Sequence, residues 1–439
     1  MNPLAENLNN DIKNENVNVF EMLSDLGKNL FMPKGIVTQS AEAKDKAYKY
    51  NATIGIAMEG KKPMHLKCIY EPLKQFKPED LFPYAPNTGR NDLRVAWQKK
   101  MLKDNPTLNG KFISLPIVTN ALTHGLSIVA DMFINKGDYI VTPDKYWGNY
   151  RQTFALRREG EMATFPTFTD DNIFNIDGLL NKVEECGNIN GKVLVLLNFP
   201  NNPTGYMITH DEAHKLAEGL IRLANSGIKI ITLSDDAYFG LFYEDTYKES
   251  LFALTANASD NLLSIKLDGA TKEEYVWGFR IGFITFASTN NSPQTGLLNA
   301  LEKKVAGLIR GTISNCPHPS QTFVLYGLNH KDFERERDEK TEILKRRALK
   351  IKEVFEKNNY ADAFTYYPFN SGYFMCIKLN NIDSEELRVH LLNNYGVGTI
   401  STSKTDLRIA FSCMEESEIE DLFNIIYKAC LDLRGKNNS

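Results

Sequence analysis

The chain has 439 residues, 42% of them apolar, 11% aromatic and 24% charged, and 51 basic against 55 acidic side chains leave a net charge of −4. That length suggests two or three domains and supports a large core without staples, and the balanced charge argues against a protein that lives on nucleic acid or an acidic membrane surface. Six scattered cysteines with no CxxC pair argue against a zinc framework or a disulfide scaffold, and point instead to free thiols in a reducing, cytoplasmic setting.

The N-terminus is polar and Asn-rich. It has no basic n-region and no apolar h-region, so it is not read as a signal peptide. Residues 1 to about 45 read as an arm with an amphipathic piece around Val19 to Leu30. The most apolar short run, near VLVLL, falls far below the ~18 residues a spanning helix needs.

From about residue 112 apolar strands alternate with helical patterns. ISLPIVT reads as a strand and ALTHGLSIVADMFI as a helix. DYIVTP and EMATFPT follow as strands, IDGLLNKVEEC as a helix and KVLVLLNFP as a β-rich run. THDEAHKLAEGLIRLANSG reads as a helix opened by a capping box, Thr209 with Glu212. IKIITLSDD, NLLSIKLDG and RIGFITF complete the strands. Near-continuous Val/Ile/Leu strands separated by helices predict βαβ units and a mostly parallel sheet buried on both faces. After about 318 a long charged helix precedes FTYYP, GYFMCIKL, a helix near SEELRVHLLNNY, DLRIAFS and a final helix, the texture of a smaller α+β domain.

Chemistry-bearing motifs sit where these strands end, the place where α/β folds hold ligands. They are NNPTG (201–205), DDAY (235–238), GATK (269–272), GFRIG (278–282) and DLRIAFS around Arg408. This ordered set resembles the fold-type I pyridoxal-phosphate (PLP) enzymes, and within them the class I/II aminotransferases, from about Gly55 to Arg408. The separation of eight residues between Lys272 and Arg280 matches the aspartate aminotransferase pattern.

The resemblance implies an α/β fold-type I PLP transferase: a large domain with a mostly parallel central sheet flanked by helices, plus a smaller α+β domain. Residues 1–74 would form the arm and part of the small domain, 75–315 the large PLP-binding domain and 316–439 the small C-terminal domain. It implies an aminotransferase acting on an L-amino acid and a 2-oxo acid by a ping-pong mechanism, with a dicarboxylic or an aromatic substrate. It further implies a homodimer with active sites at the interface, and no nucleic-acid or membrane partner.

Each site residue has a chemical reason. Lys272 is the expected Schiff-base lysine, because only an amine captures an aldehyde reversibly and then serves as a base. Asp235 would face the pyridine nitrogen and keep it protonated. Tyr238 and Asn202 would hydrogen-bond the cofactor's phenolic oxygen. The helix start at Leu122 and Thr123, together with the Arg280 fork, would hold the phosphate. The chain has Ala121 where the family often has glycine, and Gly269 where it has a hydroxyl residue, so one phosphate ligand is expected to be missing; Thr271 keeps a hydroxyl beside the lysine. Trp147 would stack on the ring. Tyr84 would reach the phosphate of the neighbouring subunit. Arg408 would grip the substrate α-carboxylate and fix the Cα–H bond perpendicular to the ring, with Gly55 lining the same pocket. Arg310 resembles the segment that reaches a distal carboxylate across the dimer.

Three decoys stand beside these residues. Lys266 lies on an apolar strand but has no arginine eight residues on. Asp236 competes with Asp235, and the DxAY spacing selects Asp235. HDEAH (210–214) has two histidines at i, i+4 but an aspartate where a zincin needs glutamate, so no metal is expected. The rival enzymatic reading is a PLP-dependent lyase of the C–S β-lyase type on the same residues. A more remote one is a non-catalytic aminotransferase-like regulatory domain, disfavoured because the Gly55 motif comes too early to follow a winged-helix domain.

Overall fold

Seven of the expected strands join one sheet. The computed structural model describes residues 2–15, 23, 28–29, 36–53, 55–288 and 295–437, so apart from positions 23 and 28–29 the amphipathic piece around Val19–Leu30 lies outside the described residues. The strands are β1 (Ile117–Thr119), β2 (Tyr139–Pro143), β3 (Glu161–Phe165), β4 (Lys192–Asn198), β5 (Lys229–Asp235), β6 (Leu262–Asp268) and β7 (Gly282–Ser288), in the order β1-β7-β6-β5-β4-β2-β3. All neighbours pair in parallel except those of β7, which runs antiparallel to both β1 and β6.

The apolar runs are continuous because both faces are covered. Along β4, Leu194 and Leu196 enter one core while Val193, Val195 and Leu197 enter another on the opposite face. Successive strand side chains point to opposite faces, so an unbroken Val/Leu run is what a doubly covered sheet requires. The helix His210–Asn225 starts at the expected box: Thr209 Oγ1 accepts from the Glu212 amide, and Glu212 Oε2 accepts from the Thr209 amide at 2.8 Å. The expected ISLPIVT strand is shorter than its pattern, beginning only at Ile117, since Pro116 has no amide to donate to a ladder.

A second sheet, order β8-β9-β11-β10, comprises β8 (Phe364–Tyr366), β9 (Phe374–Leu379), β10 (Ile400–Ser401) and β11 (Asp406–Ala410), all antiparallel. The long charged helix Phe333–Lys357 and the terminal helix Ile419–Asn437 flank it. The early segment docks here too: Tyr50–Asn51 pairs in parallel with Val397–Gly398, and the Ala410 amide donates to Ala52 O at 2.9 Å. The two sheets meet at Gly205, whose carbonyl accepts from the amides of Asn370 and Ser371, both at 3.0 Å. Its φ is +76°, and a Cβ there would lie 2.0 Å from Phe374 O, so only glycine fits. Among the described residues no helix is long and apolar enough to cross a membrane.

Candidate active site

One edge of the large sheet collects the chemistry. The parallel strands β4, β5 and β6 end there at Asn198, Asp235 and Asp268, with Asn198 opposite Asp235 and Asp235 opposite Leu267. Antiparallel β7 begins at that same edge, Gly282 facing Thr119 and Phe283 facing Asp268, so Arg280 arrives beside the others. A cavity of about 310 Å³ opens over this edge. Ten of the twelve expected site residues line it: Gly55, Leu122, Thr123, Trp147, Asn202, Asp235, Tyr238, Lys272, Arg280 and Arg408. Tyr84 and Arg310 do not. Tyr84 is 91% exposed, and Arg310 donates to Ser314 Oγ at 2.6 Å on the helix Thr295–Thr312.

Lys272 lies on the turn Ala270–Glu273 that follows β6, its Nζ 5.0 Å from the Tyr238 ring centroid. Tyr373 Oη fixes its backbone by donating to Lys272 O at 2.9 Å. Burial pushes the Lys272 ammonium down to about 8; Asp235 opposes this shift and Arg280 adds to it. Asp235 is pushed up to about 6, again mainly by burial, against the hydrogen bond from Tyr150 and the charge of Lys272. Desolvation therefore outweighs the mutual attraction of the two groups, leaving an amine that readily becomes neutral.

Arg408 is 2% exposed in the middle of β11, opposite Cys376 and Ile400. Its Nη1 donates to Asn202 Oδ1 at 3.0 Å, its Nη2 donates to Thr53 O at 3.2 Å, and its guanidinium lies 4.1 Å from the Phe374 ring centroid. Among the described residues Nε has no partner and no carboxylate pairs with it. Arg280 sits in the left-handed region at φ +54° and donates from Nη1 to Trp277 O at 3.1 Å. Burial lowers both guanidinium pKa values. The lining thus holds three cations, Lys272, Arg280 and Arg408, against one carboxylate, Asp235. A surplus of positive charge in a partly desolvated cavity is a site for anions.

The helix Ala121–Phe133 starts at the cavity wall with no side-chain cap, leaving its first amides to a ligand. Ala121 adopts φ +61°, which explains why glycine suits that position. The departure at Gly269 also has a physical reason. Its φ of 167° is ordinary extended backbone, but a Cβ would lie 2.6 Å from Ile281 O and 2.7 Å from Gly282 Cα. This chain has no room for a hydroxyl residue there. Thr271 is 4% exposed, and its Oγ1 has no partner among the described residues.

The decoys fall elsewhere. Lys266 is 1% exposed, pairs with Asp236 and with Asp268 Oδ2 at 3.3 Å, and its ammonium is held above the usual lysine value despite burial. His210 and His214 pack edge-on against Tyr247.

Several functional positions were missed in the sequence. Asn198 bridges two strand ends, donating from Nδ2 to Asp235 O at 2.8 Å and accepting from the Asn202 amide at 2.7 Å. Tyr150 donates to Asp235 Oδ2, and Trp277 and Phe374 line the cavity. Tyr150 had one available signal, its place three residues after Trp147 in the same loop.

The family model for aminotransferase class I and II matches residues 57–426. A probable aspartate/prephenate aminotransferase of Aquifex aeolicus (strain VF5) is 29% identical over 204 residues, 46% of this chain and 48% of that protein. The chain spans about half the length of such curated relatives. Among solved structures, an aminotransferase from Anaerococcus prevotii DSM 20548 superposes with a TM-score of 0.81 at 24% identity, covering 93% of this chain and 98% of that one. A Pyrococcus horikoshii kynurenine aminotransferase in complex with PMP gives 0.77 at 19%, covering 94% and 98%. At these identities the structural likeness establishes the fold-type I α/β architecture.

Proposed function

The chain belongs to the aminotransferase class I and II family, and on that premise we propose that it moves an amino group between an L-amino acid and a 2-oxo acid with pyridoxal 5′-phosphate as cofactor. The observation that carries this reading is one cavity in which a half-buried, desolvated lysine, a buried aspartate and two arginines without carboxylate partners among the described residues converge. The residues present fit the cofactor. Two anionic groups, a phosphate and a substrate carboxylate, balance the cationic surplus. The uncapped helix start at Leu122 and Thr123 and the Arg280 fork suit a phosphate, and the unpartnered Thr271 hydroxyl lies beside them.

When bound, pyridoxal phosphate supplies an aldehyde that captures amines reversibly and a ring that withdraws electrons from Cα. Asp235 would hold the proton on the ring nitrogen, and Asn198 and Tyr150 hold Asp235. Trp147, in the cavity wall, would cover the ring and keep water out. Tyr238 and Asn202, in the same wall, would hydrogen-bond the phenolic oxygen. Arg408 grips the α-carboxylate, with Nη1 already set by Asn202 and Nη2 by Thr53. That grip aims the Cα–H bond at the lysine. Lys272, made easy to deprotonate by desolvation, would take the proton from Cα onto Nζ and give it up to the aldehyde carbon of the bound cofactor.

Tyr84 and Arg310 lie away from this chain's own cavity, and in this reading each serves a neighbouring subunit of a homodimer: Tyr84 its phosphate, Arg310 a distal substrate carboxylate. Relatives named for aspartate, prephenate and kynurenine support a dicarboxylic or aromatic substrate. Six free thiols agree with a cytoplasmic setting.

The test is an assay of the PLP-loaded protein with single amino acids and 2-oxoglutarate. Glutamate formation that returns the enzyme to its starting absorbance supports transamination. Pyruvate and ammonia from cysteine-type substrates, without glutamate, would replace it with the lyase reading.

A further inference from the structure

Outside the cavity, Lys145 and Asp406 form a nearly buried ion pair between the two sheets. Lys145 Nζ lies 2.8 Å from Asp406 Oδ2, and their side chains are 15% and 5% exposed. Tyr367 completes the cluster: its hydroxyl donates to Asp406 Oδ1 at 2.9 Å, and its ring centroid lies 4.4 Å from the ammonium. A second carboxylate, Asp144, stands 3.9 Å from Lys145.

The positions in the chain give this pair its meaning. Lys145 lies two residues before Trp147, and Asp406 two residues before Arg408 on the same face of β11. The contacts then close a ring. Asn201 Nδ2 donates to Lys145 O at 3.2 Å, and the next residue, Asn202, accepts from Arg408 Nη1 at 3.0 Å. Lys145 is itself held from behind, since its amide donates to Thr167 Oγ1 at 3.1 Å. Three segments that carry site residues, the Trp147 loop, the Asn201–Asn202 turn and β11, are thus tied pairwise by polar contacts, and the ion pair joins the first to the third.

We infer that Lys145 and Asp406 are positioning residues that lock the substrate-carboxylate arginine and the Trp147 loop into one geometry. The inference rests on the aminotransferase reading. An ion pair with this little exposure orients its elements strongly, whereas a solvated one leaves them loose. Without it, β11 keeps its ladder but loses its tie to the loop, and Arg408 meets the carboxylate in a broader range of orientations.

The experiment uses the PLP-loaded protein with Lys145→Met, Asp406→Asn and their double variant. The expected result is a rise of roughly tenfold in KM for the accepted amino acid together with a smaller fall in kcat, because a looser Arg408 both holds the carboxylate less well and aims the Cα–H bond less well. The dissociation constants of two non-reacting carboxylates, succinate and 3-phenylpropanoate, measured by calorimetry, rise in parallel for whichever one the enzyme binds. The double variant is no worse than either single one, the mark of a direct pair. Tyr367→Phe, which removes one hydrogen bond and keeps the ring, gives a smaller rise and serves if Asp406→Asn does not fold. Folded variants with unchanged KM and unchanged carboxylate affinity overturn the inference, as does full additivity in the double variant. Absence of transamination in the unsubstituted protein overturns the aminotransferase reading instead.

Discussion

Tyr150 Oη donates a 2.6 Å hydrogen bond to Asp235 Oδ2 with both side chains buried. The bond stabilises the charged carboxylate, while burial alone drives Asp235 toward its neutral form. Tyr150→Phe removes the bond and keeps the ring, so the Asp235 pKa rises. A neutral Asp235 cannot hold the ring proton. The acid limb of the pH profile of kcat/KM therefore moves to higher pH in Tyr150→Phe, and an unmoved limb would separate Tyr150 from Asp235.

The buried amine predicts a stability cost that the cofactor-free protein bears. Lys272 falls from 10.5 to about 8 on folding. Its pKa is depressed, so its contribution is present above pH 10.5 and lost as pH falls through 8. The difference corresponds to about 3 kcal/mol at neutral pH. Lys272→Met is expected to stabilise the cofactor-free protein against urea by that order at pH 7 and by almost nothing near pH 10.5, while abolishing activity. Equal stability of both proteins at pH 7 would contradict the burial argument.

The two lysines, Lys266 buried and Lys272 half-buried, separate cleanly by substitution. Lys266 neutralises Asp236 and Asp268 behind the site. Lys266→Met leaves two buried carboxylates facing each other and is expected to destabilise the fold by about 3–5 kcal/mol. Below its lowered melting temperature the variant should still bind PLP and transaminate. A stable Lys266→Met protein without activity would exchange the roles of the two lysines.

The glycine positions make opposite predictions from expectations based on side-chain chemistry. Gly269→Ser supplies the hydroxyl that related chains carry, yet its Cβ meets Ile281 O at 2.6 Å. It is expected to weaken PLP affinity, measured by fluorescence titration. Gly205→Ala places a methyl 2.0 Å from Phe374 O at φ +76° and is expected to cost more than about 2 kcal/mol in thermal unfolding.

Much of this was legible in the chain because strand ends announce themselves. Apolar runs mark β4, β5 and β6, and the motifs NNPTG, DDAY and GATK mark their ends. Ten of the twelve expected site residues, from these strand ends and elsewhere, line a single cavity. The supports were not legible. Asn198 ends an apolar run and looks like any turn residue, and its bridging of Asp235 and Asn202 depends on strand register. The role of Lys266 is hidden because its main partner Asp236, just past the end of β5, reaches it only once β5 and β6 pair. The Lys145–Asp406 pair joins residues 261 positions apart and leaves no local pattern at all. The tightness at Gly269 arises from the backbone of Ile281 and Gly282, which no reading of residue types reveals.

The reversed direction of β7 has a consequence for how this chain tolerates change. Lys272 and Arg280 sit on the single connection from the end of β6 to the start of β7, two strands hydrogen-bonded side by side. Their offset is set by the length of that connection, as a rung is set by its two rails. One inserted residue there would drag the arginine off its mark or slide β7 out of step with both neighbours. An insertion in the segment between β5 and β6 moves neither group. Evolutionary and engineered length variation should therefore collect on the second connection and vanish from the first.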